Sequence, residues 1–99
     1  MAEARVREEA VQVTVDYLPA THPFHQAFPE DSRLEIVRAD AMSFFGVRDR
    51  QERDTYRYFL EFDKNRIADT NQTLGQLLGP HRHGAHFHLI EEITAGSAA

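Results

Sequence analysis

Between residues 11 and 18 the chain alternates. Val11, Val13, Val15 and Tyr17 share one parity, and Gln12, Thr14 and Asp16 share the other. That period of two is the mark of a half-buried strand. Pro19-Ala-Thr21 breaks it. His22 to Phe28 predicts a second strand, with Phe24 and Phe28 on one side and His25 opposite, and the short connection implies a hairpin. The period then lengthens. Leu34, Val37, Ala41 and Phe44/Phe45 recur at helical spacing and give one apolar stripe. Pro29-Glu-Asp-Ser32 leads in, Ser32-Arg-Leu-Glu35 fits a capping box, and Gly46 suits a left-handed stop. A helix of about three to four turns is expected.

Arg48 to Asp54 is polar throughout, with acids between the arginines, and reads as a solvated loop rather than a basic patch. Thr55 to Phe62 alternates again. Tyr56, Tyr58, Leu60 and Phe62 take one face; Arg57, Phe59 and Glu61 take the other. Asp63-Lys-Asn-Arg66 is a turn, and Ile67 begins a short fourth strand. Thr73 to Gly79 predicts one short helical turn, capped by Thr73 and closed by Gly79. Pro80 to Gly84 is a loop. From His86 the last strand begins, with Phe87 and Leu89 facing one way and His88, Ile90 and Glu92 the other. It runs into Ala95-Gly96, and Ser97-Ala98-Ala99 follow.

One helix among four to five strands of a mixed sheet is an α+β architecture. A right-handed crossover from the second strand through the helix would set the last strand parallel to the first at the sheet centre. That topology is the β-grasp.

Composition narrows the chemistry. The chain has 99 residues, enough for one domain, and no cysteine, which removes disulfides, thiolate zinc sites and cysteine nucleophiles. Net charge is −5 and no Lys/Arg run is long enough to track phosphates, so a nucleic-acid partner is not expected. No window approaches transmembrane length, and Met1 to Ala10 is charged, without an apolar stretch, so it reads as a lead-in and not a signal peptide. A soluble cytoplasmic protein is the expectation, with no membrane partner.

His81, His83, His86 and His88 form a dense cluster of imidazoles, a type of ligand suited to zinc or nickel. His86 and His88 fall on one strand face, near enough to share an ion. No Asp, Glu or Cys inside the cluster completes a set, although Glu91 and Glu92 are close; the other reading is a surface loop and strand edge enriched in histidine. No metal, no cofactor and no catalytic residue is assigned. His22 or His25 with Asp16 and a serine can be assembled on paper, but chance supplies such sets in a chain with 6 His and 16 acids. Phe59 falls on the outward parity beside Glu61, as a partner anchor or as an aromatic covered by a charged loop.

The second half carries a resemblance. Ile67-Ala-Asp-Thr-Asn-Gln-Thr-Leu74 is similar to the ubiquitin segment in which a leucine precedes an acidic turn and Thr-Leu. Phe87-His-Leu-Ile90 resembles ubiquitin's last strand, Leu-His-Leu-Val. Counted on without a gap, Gly96 falls on the glycine that ends mature ubiquitin. The chain therefore resembles the ubiquitin-like modifiers, and among them those of bacterial ubiquitination-like operons, with antiphage defence as the implied setting. The resemblance implies a non-catalytic modifier. Gly96 would be the conjugation residue, and processing between Gly96 and Ser97 would remove the last three residues. Its partners would be an activating enzyme, a conjugating enzyme, a processing peptidase and a modified target.

The departures fall on the surface such partners read. Ala95 stands where the family has its first glycine, Glu61 where ubiquitin has an exposed aliphatic residue, and Glu92 where ubiquitin's tail has an arginine. His88 and Ile90 keep the rest of that patch. Phe59, Glu61, His88, Ile90 and Glu92 are thus the expected partner-binding set. Residues 1–10 are expected as a lead-in, 11–94 as the domain and 95–99 as the tail. The alternatives are a β-grasp interaction domain that is never conjugated, and a sulfur carrier, which shares the fold and the terminal adenylation.

Overall fold

The three alternating valines fold as the computed structural model's first strand, β1 (Ala10–Tyr17), followed by β2 (Phe24–Pro29), α1 (Leu34–Phe45), β3 (Arg50–Gln51), β4 (Thr55–Phe62), β5 (Asn65–Arg66), α2 (Leu74–Leu78) and β6 (Gly84–Thr94). The structure describes residues 10–79 and 83–96. Residues 1–9 of the lead-in expected over 1–10 lie outside them, as do Ser97 to Ala99; Ala10, expected in the lead-in, is the first residue of β1.

The sheet order is β2-β1-β6-β4-β3, with β5 paired to β4. β1 and β6 are parallel at the centre, with Val15 opposite Phe87 and Tyr17 opposite Leu89. β4 lies antiparallel on the other side of β6. The β-grasp arrangement expected from the alternation is therefore present, with six strands among the described residues. β3 and β5 are only two residues long; β5 lies at Asn65–Arg66, inside the expected turn, and the short strand expected to begin at Ile67 does not form there. β3 falls inside the segment expected as a solvated loop, because Arg50 and Gln51 pair with Tyr56 and Thr55. β5 closes a hairpin whose two loop residues, Asp63 and Lys64, both have positive φ, 53° and 69°. That is the backbone a two-residue hairpin turn requires. β2 begins at Phe24 and not His22, where pairing with Val15 begins.

The inner face buries Val11, Val13, Val15, Phe24, Phe28, Tyr58, Leu60, Phe87 and Leu89 under Leu34, Val37, Ala41 and Met42 of α1. Phe44, expected in the helix stripe, is 54% exposed. It overhangs the sheet edge and rests on Phe24, ring centroids 5.5 Å apart. Gly46 ends the helix in the left-handed conformation, φ 74°.

The expected capping box at Ser32 and Glu35 does not form. Arg33 is the N-cap and no side chain caps the helix. The first-turn amides of Leu34 and Glu35 instead donate to the carbonyls of Gln72 and Thr70, at 2.9 and 2.8 Å. In return, Leu74 and Gly75 at the start of α2 donate to the carbonyls of Ser32 and Glu30, at 2.9 and 2.8 Å. The two helix starts satisfy one another's orphan donors through the backbone, which leaves no vacancy for the Ser32 oxygen. Glu35 pairs with Arg38 at 3.2 Å instead. At α2 the Thr73–Gln76 capping box is complete. No helix among the described residues is long and apolar enough to cross a membrane.

Candidate functional site

Alternation in β4 and β6 sends every second side chain away from α1, and register decides which of them meet. Phe59 lies opposite Ile90, Glu61 opposite His88, and Arg57 opposite Glu92. All five residues of the expected partner-binding set therefore stand on one outer face of two adjacent strands. Phe59 is half-buried, with the Arg66 guanidinium 4.0 Å from its ring centroid. Arg66 also lies 3.6 Å from Glu92. The acidic departure at Glu92 is thus partly neutralised from within the chain.

One residue of this face was missed. Leu18 is 96% exposed at the turn after β1. With Asp16, Glu61, His88 and Ile90 it lines an open groove of about 440 Å³. The signal was available: Leu18 falls on the polar parity of its strand, which points it outward, and directly precedes the proline that ends the strand. An exposed large aliphatic beside a half-buried Ile90 gives the groove an apolar floor between charged walls.

Parallel pairing adds a second arrangement. Asp16 of β1 stands opposite His88 of β6, and Thr14 opposite His86. The His86 Nε2 contacts the Asp16 carboxylate. The His86 and His88 rings stack with centroids 5.2 Å apart. Asp16 supplies the carboxylate that the sequence cluster lacked. It comes from the far end of the chain, so no local spacing reveals it. His25 Nδ1 is 3.0 Å from the Thr14 hydroxyl on the same face. His81 lies outside the described residues.

On the inner face Tyr58, 1% exposed, donates its hydroxyl proton to Glu91 at 2.6 Å. Burial, and then this bond to a carboxylate, push its phenol up to about 12. Tyr17, edge-on to Tyr58 at 6.3 Å, is raised as well, by burial and by the Glu91 charge.

Gly96 packs against the body of the domain. Thr55 faces Thr94 in the β4–β6 ladder. Carrying that register two residues further sets Gly96 against Arg53. The Gly96 amide donates to Asp54 Oδ1 at 3.2 Å. A Cβ on Gly96 would lie 1.8 Å from the Arg53 carbonyl oxygen, so only glycine fits this close approach. Asp54, placed by the sequence in a solvated loop, is the residue that holds it.

No protein-family model matches the chain, and no curated protein matches it. Solved structures do. The ubiquitin-like domain of yeast Ddi1 superposes with a TM-score of 0.64 at 13% identity, over 96% of this chain and all of that one. The ubiquitin of Caldiarchaeum subterraneum gives 0.62 at 14% identity, over 91% and 99%. A structure described as a molecular mimic of SUMO that promotes DNA repair gives 0.61 at 10% identity, over 86% and 95%. With the parallel β1–β6 centre, the one long helix among the described residues across the sheet and the hairpins at either side, these matches establish that the chain has the ubiquitin-like fold.

Proposed function

We propose that this chain is a ubiquitin-like protein modifier, conjugated to target proteins through the carboxylate of Gly96. One observation carries the reading. The strand at the centre of the sheet, β6, continues past its last ladder pair at Thr94 directly into Ala95-Gly96. A chain ending at Gly96 thus has its carboxylate at the rim of a rigid domain, beyond the last side chain larger than a methyl. In this reading a peptidase removes Ser97-Ala98-Ala99. An activating enzyme adenylates Gly96, the acyl group passes as a thioester to a conjugating enzyme, and an amine of the target displaces the thiol. The chain itself is not a catalyst. The pathway is cytoplasmic, of the kind carried by bacterial ubiquitination-like operons, including those of antiphage defence. Phe59, Glu61, His88, Ile90 and Glu92, with Leu18, form the surface that its enzymes read. The Gly96 contact with Arg53 and Asp54 must open before an enzyme channel can take the glycine.

A second reading rests on that same contact. A glycine that packs against Arg53 is accounted for by the fold alone, and the groove beside Leu18 and Ile90 then serves a non-conjugated interaction domain. The test is a deletion of residues 96–99 in the native host, with an immunoblot for the chain. Loss of all higher-mass species with the domain still folded supports conjugation. A conjugate ladder that survives the deletion sinks it. The second reading expects the deletion to be harmless, and Ile90→Asp to abolish partner capture.

A further inference from the structure

In the outer-face cluster of Asp16, His86 and His88 only His88 also belongs to the surface proposed for the modifier's enzymes, and the composition of the cluster is that of a metal site. One ligand atom from each of the three residues lies within 4.8 Å of the others. Two neutral imidazoles and a carboxylate are the donor set of three-ligand zinc centres. We propose that Asp16, His86 and His88 bind one divalent late-transition-metal ion, zinc in the first instance, with Glu61 as the available fourth ligand.

Three features of the site favour the ion. The first is its footing. The ligands project from two parallel neighbours at the sheet centre, whose opposite faces bury Val15, Phe87 and Leu89. Backbone positions are thus fixed by the core and only side-chain torsions have to adjust. Tetrahedral zinc with bonds of about 2.0–2.2 Å needs ligand atoms roughly 3.4 Å apart. The remaining closure falls on the torsions of partly exposed side chains. The second is the approach of His86 and His88. Rings stacked at 5.2 Å and 27° hold two imidazoles together. The third is the fourth position. Glu61, on β4, lies directly opposite His88 of β6 and lines the same groove as Asp16. Directly opposed residues bring their Cβ atoms to about 5 Å, within reach of one ion. With Glu61 the ligand set is doubly negative before the metal adds its charge, in a chain of net charge −5. If Glu61 remains in the groove wall, the fourth position is left to water or to a donor side chain of a partner. The thioether and thiolate ligands that select copper(I) are absent from the set, and imidazole with carboxylate suits zinc.

The test is a calorimetric titration of zinc sulfate into the full-length chain without an affinity tag. Visible absorption on cobalt(II) substitution reports the coordination geometry. The expected result is saturation at one ion per chain, reversed by a chelator. His86→Ala, His88→Ala and Asp16→Asn should each weaken binding by roughly tenfold or more, and Glu61→Gln by less. All four positions lie on the outer face, so circular dichroism of each variant should match the parent. His81→Ala combined with His83→Ala should leave the affinity within twofold. Absence of saturable binding overturns the assignment. So does binding that survives His86→Ala and Asp16→Asn, or that disappears with the His81 and His83 substitutions, since the ion would then sit on the preceding loop.

Discussion

Tyr58 shows how one side chain ties the buried face to a surface charge. Its ring is core, and its hydroxyl reaches Glu91 at 2.6 Å. The neutral phenol is the form the fold stabilises, so its pKa is raised from about 10 in the unfolded chain to about 12 in the folded one. A raised pKa means that the native state keeps its proton longer. The contribution is fully present below pH ~10 and is lost as pH rises toward 12. Chemical denaturation across that window should show stability falling with pH, and Tyr58→Phe should flatten the fall. An equally steep fall in Tyr58→Phe would move the cause to other groups. Gly96 is the other residue whose role depends on what surrounds it. The sequence marks it as a small residue near the end of a strand, but only the ladder register shows it lying on the Arg53 carbonyl. Residue parity was legible throughout: Phe87 and Leu89 in, His88 and Glu92 out. What parity cannot reveal is a neighbour distant in sequence, and Asp16 beside His86 and Asp54 beside Gly96 are both of that kind.

At the scale of elements, the long strands and α1 were readable because each carries a sustained period. The two-residue strands were not, since two residues hold no period at all. The helix start failed for a different reason. Ser32 and Glu35 satisfy the local rule for a capping box, yet a backbone donor–acceptor exchange with residues 70–75 occupies the amides first. Tertiary pairing outranked a local signal. The β4–β5 turn is another place where sequence and backbone disagree. Asp63 and Lys64 both adopt the left-handed region, which costs a residue with a Cβ roughly 1–2 kcal/mol. Asp tolerates it better than Lys. Lys64→Gly should therefore stabilise the domain by about 1 kcal/mol, raising Tm by about 4–8 °C for a domain of this size. A lower Tm would mean that the lysine stem packs in a way that offsets the strain. Lys64 is also the chain's one lysine, so the same substitution leaves only the N-terminus or a hydroxyl for chain formation, and attachment through Gly96 should be unaffected.

At the scale of the molecule, the domain divides its work between two regions. The outer face of β1, β6 and β4 carries the groove, with Leu18 and Ile90 as its apolar floor and Asp16, His86 and His88 as its polar end. The other region is the end of β6, where the sheet gives way to Ala95-Gly96 against Arg53 and Asp54. The same central strand joins the two, so under the proposed function a partner seated on the groove would sit on the strand whose end has to be released for Gly96 to react. The central claim is that this end is joined to other proteins. It is tested most directly by mass spectrometry of trypsin-digested conjugates from the native host. Arg82 is the last basic residue before Gly96, so a modified amine should carry the whole segment His83–Gly96 as a branch. The predicted result is that branch on target lysines, together with free chain whose intact mass ends at Gly96. A chain found only at its full mass, ending at Ala99, with no branched peptide on any protein, would contradict it.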